Sequence, residues 1–439
     1  MIPDIQRHHD ALQTAERVTR EDVKNLESIL GVGHPVVNTV KSVLARIKIR
    51  QCEWGEAEEI EMQLASAYEQ TMGPESREAL RSRGHLALIY TEQRRWNEAE
   101  QEYAELLEVT KTLSGPDHPD TLVRMSNLAA TLWHGDRWLQ AEELQTELVD
   151  AAKRVFGQDH PLTMTSMSNL SLTLQSLGCW EDAEELGKEV VDLSKKSMGP
   201  EHPTTLGSMT NLAAIFAGRG RTEEAEKLQV EVLALSRRVM GTEHPETLTR
   251  KANLARTLSK LGRWDEAKDL SRKIVDIREK MLGLYHEDTL TATSFLASML
   301  RAHNELEEAE EILLEAVNMS RRALGNEDPV TLRLMSNLAL TFSAQNRMEE
   351  TEELLLEVLD TKTTFLGEED PSTLDTMEMI AIVWDIMGYH DAYRDQMALC
   401  ARLQVKVLGW EHPDTERALN ILISGYDLLT HAAVAPESL

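Results

Sequence analysis

The chain has 439 residues, 41% of them hydrophobic, so it carries enough apolar surface to bury a core and is not disordered by composition. Its 75 acidic residues against 46 basic ones leave a net charge of −29, a surface that repels phosphate backbones and excludes nucleic acid and anionic membranes as natural partners. Aromatic residues are only 5% and glycine and proline are sparse, while leucine, alanine and glutamate abound, a balance that favours helix.

The opening stretch, "MIPDIQRHHDALQTAERV", lacks the apolar core of a signal peptide. No later apolar run approaches the length of a membrane span. Cys52, Cys179 and Cys400 stand far apart in no paired motif, as in a reducing compartment, so the expected location is cytoplasmic. Residues 1–30 are expected to form N-terminal capping helices.

From Gly31 onward the chain repeats itself. Glycines at 31, 73, 115, 157, 199, 241, 283, 325, 367 and 409 are spaced 42 residues apart without insertion or deletion. A proline commonly follows four residues later, at Pro119, Pro161, Pro203, Pro245, Pro329, Pro371 and Pro413. Glycine ends one helix in the left-handed conformation and proline opens the next. A second break comes about twenty residues after the loop glycine, at Gly178, Gly220, Gly262 and Gly388. Each repeat therefore reads helix, turn, helix, loop.

In the Gly115 repeat the first helix carries Leu122, Met125, Leu128, Ala129 and Leu132 at helical spacing, and the second carries Trp138, Ala141, Leu144 and Leu148. An isolated pair cannot bury both stripes, so neighbouring pairs must stack into one continuous core. Trp54, Trp96, Trp138, Trp180 and Trp264 share one position at the start of the second helix and are expected to act as packing wedges. The expected organisation is nine 42-residue repeats over 31–408, a C-terminal capping helix over 409–432 and a flexible tail over 433–439.

The motifs "NLA", "G-x-W/Y-x-E-A-E" and "LG-x-x-HP-x-T" resemble those of the tetratricopeptide repeat, and the 42-residue period resembles the kinesin light chain class. Similar arrays form the sensor region of fungal immune-like receptors. The resemblance implies an all-α, right-handed superhelical solenoid of stacked antiparallel helix pairs, with the first helix of each pair on the concave wall. No long heptad segment precedes the repeats and no phosphate-binding loop occurs, so the expectation is the repeat array by itself.

Asn127, Asn169, Asn211, Asn253 and Asn337 lie twelve residues after their loop glycines, off the apolar stripe. A side-chain amide offers both a donor and an acceptor, which matches an extended peptide main chain. In the family that the chain resembles, equivalent asparagines grip peptides in this way, and the same residues could equally fix the geometry between repeats. Flanking candidates are Arg124, Ser166, Ser208, Arg250, Lys260 and Arg333, with Thr131, Thr173, Thr257 and Thr341 completing a polar stripe. At the asparagine position other repeats carry His85, Phe295, Met379 and Ile421. Phe295, Met299 and Phe342 make a candidate apolar pocket. The Gly283 repeat also lacks the loop proline, which suggests a local change of curvature.

The recurrent His34, His118, His160, His202, His244, His286 and His412 sit one to a loop, too far apart to share a metal, and are expected to cap helices. No metal, no cofactor and no catalytic motif is expected. The leading expectation is a non-catalytic adaptor that binds an extended peptide segment of a protein partner. A carrier or unorthodox enzyme with a cavity inside the superhelix is the second, and self-association through the end helices the third.

Overall fold

The computed structural model describes residues 2–408 except 52 and 94, together with 415 and 417–420. Among the described residues it contains nineteen α-helices and no strand. Of the expected C-terminal helix only 415 and 417–420 are described, all helical, and its other residues with Gly409, His412 and Pro413, Ile421, the expected tail and Cys52 lie outside the described residues. The chain divides into two compact units, residues 1–235 and 236–439.

The first unit contains α1 (Ile2–Leu30), α2 (Pro35–Arg50), α3 (Trp54–Met72), α4 (Arg77–Glu92), α5 (Trp96–Ser114), α6 (Pro119–His134), α7 (Trp138–Phe156), α8 (Pro161–Ser176), α9 (Trp180–Met198) and α10 (Pro203–Gly218). The division falls within α11 (Thr222–Met240). The second unit continues with α12 (Pro245–Lys260), α13 (Trp264–Leu282), α14 (Glu287–Ala302), α15 (Leu306–Ala323), α16 (Pro329–Ala344), α17 (Met348–Phe365), α18 (Pro371–Ile386) and α19 (His390–Leu408). Within each unit every helix packs on its sequence neighbours, and first helices also meet: α8 touches α6 and α10, and α14 touches α16. A first helix is thus buried on two sides.

The loop chemistry follows from the "HP-x-T" signature. Gly115 adopts a φ of 95°, open to glycine and strained for other residues. Three residues on, His118 is the N-cap of α6, and its Nδ1 accepts the backbone N–H of Asp120 at 3.2 Å. His34, His160, His202, His244 and His286 cap their helices in the same way. Ser76, Asp328 and Asp370 take over this role in the described repeats that lack the histidine. The motif threonine then closes the loop: Thr121 Oγ1 donates to the Gly115 carbonyl at 2.7 Å, and Thr163, Thr205 and Thr289 do likewise at 2.8 Å. His244→Ala should therefore destabilise α12 by about 1 kcal/mol, whereas His244→Asp should be neutral or better. Amide exchange in the first turn of α12 separates the two; equal exchange for both would show that the ring nitrogen contributes no cap.

The wedge tryptophans pack across the end of the next first helix. Trp96 stacks on His134 with ring centroids 5.6 Å apart, and Trp264 stacks on His303 at 3.7 Å. Trp180 fills the space over Gly218, where an added Cβ would come within 2.6 Å of Cη2. Gly218→Ala should thus lower stability by about 1–3 kcal/mol through overpacking, although a helical Gly→Ala change ordinarily gains about 1. A urea midpoint that rises instead would mean the indole moves aside freely.

Adjacent pairs are also bolted by ion pairs that motif reading missed. The arginine just before a second helix reaches a glutamate on the second helix of the preceding pair: Arg95–Glu58 at 2.8 Å, Arg137–Glu100, Arg221–Glu184 at 2.6 Å and Arg347–Glu310 at 2.8 Å. Three of these arginines also hold the glutamate three residues on, Glu98, Glu224 or Glu350. The same three lie over an aromatic ring: Arg95 over Tyr90 at 4.3 Å, Arg221 over Phe216 at 4.7 Å and Arg347 over Phe342 at 4.2 Å. Such cation–π contacts add a little stability and fix the guanidinium.

Candidate functional site

All five ladder asparagines are half-buried on their first helices. Their side chains are engaged unequally. Asn211 Nδ2 donates to Ser168 Oγ on the preceding first helix at 3.0 Å. Asn337 Nδ2 donates in the same way to Ser294 Oγ at 2.7 Å, while its Oδ1 accepts from Arg301 at 3.4 Å. Asn253 Oδ1 accepts from Arg256 at 2.6 Å. Asn127 and Asn169 make no side-chain hydrogen bond among the described residues. The amide of Asn127 is open because the position that elsewhere supplies the serine is Gly84.

Several flanking candidates are not on the open face. Thr131, Thr173 and Thr257 are buried, and the first two hydroxyls donate back to the carbonyls of Asn127 and Asn169 at 3.0 and 3.2 Å. Thr341 is buried and bonds the Asn337 carbonyl at 2.8 Å. Ser166 and Ser208 are buried too, bonded to the carbonyls of Leu162 and Thr204 at 2.9 and 3.0 Å. Arg250 is 6% exposed and lies 3.4 Å from Glu246, and burial pushes its pKa down. The physical reason is the stacking. At about 100° per residue, positions three before and four after the asparagine turn to one side of it. That side is closed where one first helix meets the next.

The open face lies on the asparagine's other side, four residues before it and three and seven after. In the first unit these positions hold Val123, Ala130 and His134 on α6 and Thr165, Leu172 and Ser176 on α8, all exposed or half-exposed. In the second unit they hold Arg333, Leu340 and Ala344 on α16 and the exposed Ile382 and Ile386 on α18. Arg333 Nη2 donates to Thr291 Oγ1 at 2.6 Å, and Lys260 is exposed at the end of α12.

Arg124 differs from Arg250 in its surroundings. It is half-buried with its Nη2 3.4 Å from the Leu80 carbonyl, and it has no carboxylate partner among the described residues. Burial pushes its pKa down, opposed by the neighbouring Tyr103 and Asp120. The guanidinium occupies the space over Gly84, where a Cβ would lie 2.5 Å from Nη1. The next residue, His85, takes the asparagine position of α4 and places Nδ1 2.7 Å from Glu61 Oε1. Glu61 is fully buried, and its Oε2 has no hydrogen-bond partner among the described residues. Arg124, Asn127 and His85 thus bring three sets of donors to one stretch of α4 and α6.

The apolar pocket is not formed as expected. Phe342 is 8% exposed within the core cluster of Leu334, Met335 and Leu338, beneath Arg347, and Met299 is likewise buried. Packing claims both, and Phe295 alone is half-exposed. No group of three or more His, Cys, Asp and Glu side chains able to hold a metal occurs among the described residues. No described helix is long and apolar enough to cross a membrane.

No curated protein matches this chain. Among solved structures it is similar to the kinesin light chain nearly identical TPR-like repeats of Podosopora anserina, at 30% identity, covering 47% of this chain and 97% of that one with a TM-score of 0.41. It is similar in fold to the quorum sensor NprR from B. thuringiensis at 17% identity, covering 82% of this chain and 99% of that one, with a TM-score of 0.54. The Rap protein complexed with Competence and Sporulation Factor is 11% identical, over 84% of this chain and 98% of that one, with a TM-score of 0.50. The tetratricopeptide repeat family matches residues 78–147, 124–196, 167–235, 204–280 and 288–364. With stacked helix pairs, asparagine-bearing first helices and these matches over most of its length, the chain belongs to the tetratricopeptide repeat family.

Proposed function

We propose that the protein is a non-catalytic adaptor that holds an extended peptide segment of a protein partner along the first helices of its first unit. The observation that carries this reading is the pair of open amides, Asn127 and Asn169, on adjacent first helices that pack together. An amide left half-exposed beside small and apolar neighbours offers a main chain one donor and one acceptor per repeat. Asn211 contributes its acceptor and its second N–H, since one N–H is given to Ser168. Arg124 and His85 would select a side chain at the N-terminal end of that segment. Asn337 serves instead as a strut between repeats, because both ends of its amide are engaged within the fold. Affinity would come from several weak contacts on a preformed surface with little reorganisation.

The test is a comparative capture of partners by wild type and by Asn127→Ala/Asn169→Ala, followed by affinity measurements with peptides from the captured proteins. Neither amide supports the fold, so the variant should keep its urea midpoint while peptide affinity drops at least tenfold. Undiminished affinity for every captured peptide would remove the amides from the function. A variant that unfolds at lower urea would instead make them struts like Asn337.

A further inference from the structure

One joint in the second unit has its charges reversed. In the four joints described above, the cation stands before the later second helix and the carboxylate lies on the earlier one. Between α13 and α15 the same two positions, 42 residues before Arg347 and Glu310, hold Glu305 and Lys268. They are paired all the same: Lys268 Nζ donates to Glu305 and reaches Glu308 at 3.1 Å. Glu308 stands where Glu98, Glu224 and Glu350 stand elsewhere, and Arg272 joins it from α13. The indole N–H of Trp264 donates to the second lobe of the Glu305 carboxylate, 3.0 Å from Oε1. The geometry of the bolt is kept and its polarity is inverted.

From this we infer that Lys268 and Glu305 form a register key, which lets α14–α15 stack on α12–α13 and on no other pair. Repeats of one length and one motif can slip by a whole repeat or exchange with another copy of the chain, a characteristic failure of repeat proteins. A slip of one pair brings Arg347 onto Lys268. Seating α14–α15 on a pair that carries Glu58, Glu100, Glu184 or Glu310 gathers three carboxylates with Glu305 and Glu308. Juxtaposed like charges penalise both arrangements, so the key acts against wrong neighbours more than it adds to the right one. It costs little in the correct stack, where every charge is paired.

The test uses the full chain and four variants: Lys268→Glu, Glu305→Arg, their combination, and Arg347→Glu/Glu310→Lys. Each single change should lower the urea midpoint. Lys268→Glu/Glu305→Arg recreates the ordinary joint and should recover the wild-type midpoint, yet give several-fold less monomer on refolding from urea, because the joint is now interchangeable. Arg347→Glu/Glu310→Lys copies the key onto the next joint, which stays matched, and should also refold with reduced yield. Size exclusion with light scattering counts the monomer, and amide exchange in α14 and α15 reports their stacking. If either double variant refolds with wild-type yield and the same species, the pair is an ordinary ion bridge. Single changes that leave midpoint and yield unmoved would also overturn the inference.

Discussion

Lys48→Met should undock α1 from the first unit at a cost of about 1.5–3 kcal/mol. The ammonium is 2% exposed and bonds three carboxylates, Glu16 at 2.7 Å, Glu53 at 2.6 Å and Glu56 at 2.9 Å. Burial opposes its charge, but those three bonds outweigh burial and raise its pKa. Removing it leaves the carboxylates facing one another with Arg20, which reaches Glu16 at 2.9 Å and Glu56 at 2.6 Å, and Gln51, which donates to Glu16 at 3.0 Å. Because α1 packs chiefly on α2, the loss should appear as fast amide exchange in α1 with the later helices unaffected. Acid should reach the same state. The bond from Lys48 holds the Glu16 carboxyl at about 2, below its ordinary 4.5, and Glu56 is lowered too, burial opposing and Lys48 and Arg20 prevailing. For a depressed carboxyl the stabilisation is complete above the ordinary value and fades as pH falls toward the folded one, so α1 should loosen between pH 4.5 and about 2. Unchanged α1 exchange in Lys48→Met, or across that acid range, would show that the anchor is the apolar packing alone.

The fold was almost wholly legible because its cause is periodic. A loop glycine every 42 residues, a helix-opening proline and an apolar stripe at helical spacing fix the helix pairs without tertiary information. The loop histidines were legible as caps for the same reason: their partner lies two residues away. The site was less so. Thr131 and Ser166 look like groove residues on a single helix and are buried because a second first helix covers them. The bolts between pairs join residues about forty apart, so no local motif announces them, and the reversed Lys268–Glu305 pair reads locally as two more charges on a solvated face. Comparing equivalent positions down the repeats reveals both, since Gly84 among serines and Lys268 among glutamates are conspicuous only in register.

The same comparison singles out Lys251, and Lys251→Met should stabilise the second unit by about 1–4 kcal/mol. Five equivalent positions hold Met125, Met167, Met209, Met335 and Met377, all buried core residues, while Lys41, Arg83 and Thr293 stand at three others. Lys251 is 6% exposed, and its ammonium bonds the Thr242 carbonyl at 3.2 Å. Burial pushes its pKa below the ordinary 10.5, Arg237 and Lys273 push the same way, and Glu243 opposes them. A lysine lowered on folding destabilises at neutral pH, since the unfolded chain holds the proton more tightly. That penalty is relieved as pH rises through the folded value toward 10.5, so wild type should gain stability on the alkaline side. Methionine restores the thioether packing of the other repeats and removes the charge, and with it the alkaline gain. Amide exchange in α12 and α13 at neutral and alkaline pH measures both effects. Faster exchange in the variant at neutral pH would mean that the Thr242 bond and the lysine stem contribute more than burial of the charge costs, making Lys251 a loop anchor.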